Sequence, residues 1–261
     1  MGKMFGFEQQ IFDQLIRLKE KYDLEGVKAE FEAEGSSFRD LVRLRRITNK
    51  LNIPLYLKIG GVEALRDVKD SLEIGVDGLI APMVESAFAL KKFLDGVASI
   101  YKDTDVHLSV NIETQKGVES LEKILDLGKG RIDNITIGRT DLSSSYFDNR
   151  VDPDSDFIFS LLENLAESIS KAGINMNVGG SLSKKSIEIF KRDLDKWPRL
   201  FNRLETRKVI LPTEVMLKKE ESIAEALRFE ELYILSKKEM NDLFMESETV
   251  RLTRLKGKEN F

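Results

Sequence analysis

VHLSVNIETQKGVESLEKILDLGKGRIDNITIGRTDLSSS, residues 106–145, reads as two short strands joined by a helix. In residues 106–113, Val106, Leu108, Val110 and Ile112 alternate with His107, Ser109, Asn111 and Glu113, the period of a strand with one apolar face. Residues 116–127 carry apolar side chains at helical spacing, and DNITIG (133–138) is a second strand that runs into RTDLSSS. Two strands with a helix between them make one βα repeat of a parallel sheet.

The same alternation extends in both directions. Upstream lie a helix over residues 5–22, a strand at 26–33, and a helix after the candidate caps Ser36 and Ser37. Strands follow at LYLKIGG (55–61) and DGLIAPMV (77–84), then a helix over 86–101. Downstream come helices at 155–172 and 183–194, with the strand NMNVGG (175–180) between them. LFNRLETRKVIL (200–211) is one long strand or two strands meeting near Arg207, and a charged amphipathic helix at 217–245 precedes a basic tail. The expected fold is α/β: a single-domain (β/α)8 TIM barrel over 1–261 with an extra C-terminal helix. Residues 217–261 are a candidate oligomer contact. An open doubly wound sheet is disfavoured, because no Gly-rich phosphate fingerprint follows an early strand.

Composition narrows the chemistry. The 261 residues contain no cysteine and one histidine, and the net charge is −4. A disulfide scaffold, a Cys/His zinc site and a cysteine nucleophile are excluded, and histidine chemistry rests on His107 alone. His107 starts its strand about 20 Å from Glu113, so it reads as structural. There is no basic footprint for nucleic acid, no apolar run of membrane-spanning length, and no signal-peptide core in MGKMFGFEQQ. A cytoplasmic protein with no membrane partner is expected.

In a barrel the apolar strand faces meet the helices and the polar faces point inward. Buried charges must then pair or bind an ion. An internal network of Lys28, Lys58 and Arg203 with Glu30, Glu32 and Glu205 is expected. Glu34, Lys58, Glu113, Asp141 and Glu205 fall at C-terminal strand ends, the rim where barrel active sites are built. Gly179, Gly180 and Ser181 form a turn before a helix that either seats an anion or simply caps that helix. Arg139, Arg203 and Arg207 either bind acid groups or form structural ion pairs. DNRVDPDSD (148–156) is a polar loop of the kind that closes over a site.

APMVES (81–86), LSVNIETQKGVESLEKILDL (108–127) and IDNITIGRTDLSSSY (132–146) together resemble the HpcH/HpaI aldolase and citrate lyase β-subunit family. So does the preceding unit from Tyr56 to Val84. The resemblance implies a phosphoenolpyruvate-mutase type of barrel. It implies carbon–carbon bond cleavage or formation through an enolate of pyruvate or a related acid, with Mg²⁺, Mn²⁺ or another divalent ion. The matching metal ligands are Glu113 and Asp141. The backbone N–H groups around Thr140 and Asp141 would bind the substrate carboxylate, while Arg139 and the Gly179–Gly180 turn are further candidates for a substrate acid group. The partners implied are a 2-oxo acid and an aldehyde or thioester, in a homo-oligomer.

The sequence departs from that family at three positions. Lys58 stands where its pyruvate-class aldolases carry Arg, and an ammonium supplies charge without a bidentate fork. Gly35 stands in the place of the acid/base His, which leaves Glu34, a metal-bound water or Lys58 to move protons. Arg139 replaces a Pro or small residue. Two other readings stay open: a Schiff-base aldolase using Lys58 or Lys28, and a barrel with altered chemistry that serves as a binding or assembly subunit.

Overall fold

The computed structural model describes residues 4–258, so the first and last three residues of the expected 1–261 domain lie outside the described residues. Eight strands close a barrel in chain order: β1 (Gly26–Glu30), β2 (Leu55–Lys58), β3 (Gly78–Ala81), β4 (His107–Ile112), β5 (Asn134–Gly138), β6 (Asn175–Gly179), β7 (Arg203–Glu205) and β8 (Val209–Pro212). Helices Phe38–Leu51, Leu65–Ile74, Ala87–Tyr101, Leu121–Gly128, Asp156–Lys171 and Lys184–Phe190 occupy the crossovers between the first seven.

The helix starts are written locally. The side chains of Ser37, Ser86, Thr114 and Ser183 each accept a backbone N–H from the first turn of the helix that follows, worth about 1 kcal/mol apiece. Outward-facing Val27, Leu57, Leu79, Val110, Ile112, Ile135, Ile137 and Val178 are buried under this helical layer. Their alternation with polar neighbours sets the register, for example Ser109 with Asn134 and Ile112 with Ile137.

One strand departs from the parallel expectation. β1 to β7 pair in parallel, but β8 runs antiparallel to both β7 and β1. Only residues 206–208 separate β7 from β8. A parallel return needs a crossover of a dozen or more residues, so this link can only make a hairpin. The 200–211 segment is thus two strands that meet at Arg207, and the last βα unit of the barrel is replaced by a hairpin.

The barrel interior is polar and paired. Lys28 Nζ donates to Glu205 Oε2 at 2.6 Å, and Lys58 Nζ lies 2.8 Å from Glu30 Oε2. Asn177 Nδ2 and Thr136 Oγ1 donate to Glu205 Oε1 at 2.5 and 3.3 Å. Arg203 pairs with Glu25 instead, at the N-terminal mouth. Glu32 is exposed, because β1 ends at Glu30 and the strict alternation stops there. His107 sits at the N-terminal mouth beside Tyr56, their rings 5.3 Å apart, with Nδ1 3.7 Å from Asp133.

The C-terminal helix is longer than the sequence pattern suggests and runs from Ser222 to Lys258, so residues 251–258 are helix rather than tail. Its first half packs on helix Gly6–Tyr22, where Gln14 Nε2 donates to Glu225 Oε2 at 2.7 Å and Arg17 reaches Glu225. Residues 241–258 are exposed throughout. Among the described residues, no helix is long and apolar enough to cross a membrane.

Candidate active site at the C-terminal mouth of the barrel

The C-terminal ends of the strands surround a cavity of about 350 Å³. Glu113, the residue after β4, is buried in its wall. Its Oε1 accepts the Met83 backbone N–H at 2.9 Å, and its Oε2 accepts Asn111 Nδ2 at 3.2 Å. Asp141 lies in the first turn of helix Arg139–Ser144, directly after β5, and faces the same cavity. Burial pushes the Glu113 carboxyl above its usual range, and the Asp141 charge adds to the rise. The Met83 N–H, the Lys58 ammonium and Asn111 oppose it.

Two glycines make room here. Gly138 lies against Glu113, and Gly180 has φ +84°. A Cβ at Gly180 would stand 2.6 Å from the backbone nitrogens of both Arg139 and Thr140. The open side of Gly180 therefore keeps a small space in front of those two nitrogens. Thr140 and Ser181 close it, their hydroxyls 2.8 Å apart.

Lys58, Glu113, Thr140, Asp141, Gly179 and Gly180 all line the one cavity. Two expected residues do not. Glu34 lies beyond the end of β1, in a turn that faces the C-terminal helix, so it does not meet Lys58. Its carboxylate pairs with Lys208, and its backbone oxygen accepts Lys237 Nζ at 2.8 Å. Arg139 is fully buried with its side chain turned away from the cavity. It donates to the backbone oxygens of Gly179, Pro153 and Gly180 at 3.3, 2.9 and 2.9 Å and to Asp154 at 3.0 Å. It thus fastens the 148–156 loop to the Gly179–Gly180 turn, and the loop is clamped rather than free to close.

Some wall residues had no signal in the sequence as site members. Glu30, expected only as part of the internal ion-pair network, lies two steps of alternation before Glu34. Leu227 and Glu230 reach the mouth from the C-terminal helix, and only the packing of that helix brings them there.

The donor set suits a hard divalent cation. Among the described residues, no group of three or more His, Cys, Asp or Glu side chains is gathered as a metal cage. Glu113 and Asp141 are two carboxylates facing one polar cavity, and each Glu113 oxygen keeps a free lone pair. A cation between them would relieve the burial and like-charge cost on Glu113. Water and an oxygen ligand would fill the other positions.

Residues 59–178 match the model of the HpcH/HpaI aldolase/citrate lyase family. No curated protein matches the chain. Among solved structures, the HpcH/HpaI aldolase from Desulfitobacterium hafniense DCB-2 is similar at 16% identity and TM-score 0.59, over 75% of this chain and 82% of that one. An HpcH/HpaI aldolase/citrate lyase family protein from Burkholderia cenocepacia J2315 is similar at 14% identity and TM-score 0.57, over 71% and 80%. A variant of the citrate synthase SbnG is similar at 16% identity and TM-score 0.56, over 90% of each chain. At these identities the structures share the fold. The sequence match over 59–178, the segment that holds both Glu113 and Asp141, is to the HpcH/HpaI aldolase/citrate lyase family, and the barrel fold is shared with these structures.

Proposed function

We propose that this protein is a divalent-metal-dependent carbon–carbon lyase or aldolase that works through the enolate of pyruvate or a related 2-oxo acid. The observation that carries the reading is the joint placement of Glu113 and Asp141 on one cavity at the C-terminal mouth, inside the segment that matches the family.

Glu113 and Asp141 would hold Mg²⁺ or Mn²⁺, which supplies Lewis-acid stabilisation of charge on a 2-oxo acid oxygen. The Met83 N–H and Asn111 fix the Glu113 carboxylate in place, so little reorganisation is needed when it binds. The space before the Arg139 and Thr140 nitrogens suits the substrate carboxylate. Lys58 adds positive charge on the β2 side of the cavity. With Glu34 engaged by Lys208 outside the cavity, proton movement falls to the Lys58–Glu30 pair, whose carboxylate is buried in the wall.

A Schiff base draws less support, because an imine forms from a free amine. The amines of Lys28 and Lys58 are both tied to carboxylates. Borohydride treatment with pyruvate is expected to leave no adduct.

The direct test is exchange of pyruvate methyl protons into D₂O, followed by NMR with Mg²⁺ or Mn²⁺ and then with EDTA. Exchange that disappears with EDTA, and in Glu113→Ala, is expected. Exchange that persists in Glu113→Ala under chelator would overturn the metal-dependent reading. Absence of both exchange and Mn²⁺ binding would favour a barrel that serves as a binding or assembly subunit.

A further inference from the structure

The β7–β8 hairpin leaves one cation uncommitted at the mouth. Of the three basic residues that line the cavity, Lys28 donates to Glu205 at 2.6 Å and Lys58 lies 2.8 Å from Glu30. The third, Arg207, makes no hydrogen bond among the described residues. Its nearest carboxylate is Glu230, 3.9 Å from Nε, and half of the Arg207 side chain is exposed. At that distance and exposure the ion pair contributes little.

The hairpin presents this guanidinium on a rigid base. Thr206 and Lys208, on either side of Arg207, are buried. Thr206 Oγ1 accepts the backbone N–H groups of Lys208 and Val209 at 3.3 and 3.0 Å, and Thr206 N donates to Val209 O at 2.9 Å. The Lys208 amine is fastened to Glu34 and lies 4.2 Å from the centre of the Tyr233 ring. Arg207 is the one exposed residue of a pinned three-residue tip. A backbone pinned beneath the Arg207 side chain removes the backbone share of the ordering cost of binding.

Its position across the mouth matters as much. In an eight-stranded barrel closed in chain order, β8 lies opposite β4. Glu113 follows β4 and Arg207 precedes β8, so the two face each other across the cavity. The other two arginines considered from the sequence are consumed: Arg139 by backbone oxygens and Asp154, Arg203 by Glu25 at the far mouth.

We propose that Arg207 binds a second oxyanion, a carboxylate or phosphate, on the part of the substrate that extends across the mouth from Glu113 and Asp141. The enzyme would then select diacidic over monoacidic substrates. This rests on the lyase reading for the first acid group. Arg207 supplies a planar fork that grips two oxygens at once. Glu230 is the built-in competitor for that fork, and a bound oxyanion would displace it.

Calorimetric titration in Mg²⁺ with matched 2-oxo acids tests the proposal. The probes are 2-oxoglutarate against 2-oxopentanoate, 2-oxoadipate against 2-oxohexanoate, and 2-oxo-4-phosphonobutanoate as the phosphate analogue. The readout is the affinity ratio of acidic to neutral probe within each protein, so a general loss of binding cancels. In the wild type, at least one acidic probe is expected to bind tenfold or more tighter than its neutral mate. Arg207→Gln brings that ratio close to one, Arg207→Lys leaves an intermediate ratio, and Glu230→Gln raises it. Whether the carboxylate or the phosphonate gains most assigns the natural group.

A wild-type ratio near one, no binding by any probe, or an unchanged ratio in Arg207→Gln would each overturn the proposal. Pyruvate exchange separates it from the reading beneath it. Exchange without an Arg207-dependent ratio removes the Arg207 role alone, and an Arg207-dependent ratio without exchange removes the enolate chemistry alone.

Discussion

Gly138 and Glu113 share one space at the mouth: a Cβ on residue 138 would lie 2.6 Å from Glu113 Oε2. Gly138 has φ −88°, which any residue adopts, so its backbone does not demand glycine. The absent side chain is what lets the Glu113 carboxylate lie flat against β5. Gly138→Ala is therefore expected to displace that carboxylate, and because the new Cβ would also lie 2.9 Å from Glu113 Cβ, the chain at Glu113 must shift slightly with it. Mn²⁺ affinity should fall about 10- to 100-fold, the usual range when support of a ligand is lost. Unchanged Mn²⁺ affinity with an unchanged melting temperature would speak against Glu113 as a ligand.

Lys208 and Glu34 form a buried pair under the C-terminal helix, and their side chains are 2% and 7% exposed. Burial pushes the Lys208 amine below its usual range with a smaller push from Lys237, and Glu34 and Glu30 oppose them. Removing one partner strands the other. Lys208→Met is expected to cost about 3–5 kcal/mol in urea unfolding. The double variant Lys208→Met, Glu34→Gln should recover part of that loss. A cost below about 0.5 kcal/mol, the scale of a plain surface change, would show that the pair does not hold the hairpin.

His107 gives a pH signature that is simple to read, because it is the one histidine in the chain. Burial lowers its pKa, Arg203 lowers it further, and Asp133 and Glu205 oppose them. An unfolded histidine titrates near about 6.5. Between that value and the lower native one, the unfolded chain binds the proton and the native chain does not. Stability should therefore fall as pH drops through about 6.5 and level off once the native imidazole is protonated. NMR titration of the imidazole is expected to give a midpoint below 6.5, and His107→Gln should flatten the stability loss. A midpoint at or above 6.5 would contradict this account.

The outer half of the C-terminal helix predicts self-association. Leu243, Phe244, Met245, Val250, Leu252 and Leu255 are each about half exposed, on a stretch, 241–258, that is exposed throughout. An isolated helix of that length gains little stability in water without a packed face. The full chain is expected to sediment as a homo-oligomer. A chain ending at Met240 keeps the buried Phe229, Leu232, Tyr233 and Met240, and should sediment as a smaller species with an intact barrel. Equal masses per particle for the two chains, relative to their lengths, would exclude this contact.

How much was legible in the sequence differs from element to element. The alternation in 106–113 and 133–138 gave the strands, their inward faces and the rim positions of Glu113 and Asp141, because strand period and helix caps are local properties. The Glu34 expectation extended that alternation past Glu30, where β1 ends and the chain turns. Arg139 beside the Asp141 motif looked available, yet nothing local reveals that Gly179, Gly180 and Pro153 turn their oxygens toward it.

The sequence by itself determined the α/β class, seven of the eight strands and the family resemblance that points to Glu113 and Asp141. Each of these follows from patterns of side chains within a few residues of one another. Tertiary structure alone decided which charges cancel inside the barrel, that Arg139 is a clamp, and that Arg207 lines the mouth with only a loose pairing to Glu230. Those outcomes depend on which distant segments meet. The three-residue link at 206–208 forces β8 to run backwards, and that reversal puts an arginine at the mouth where an ordinary crossover would have begun.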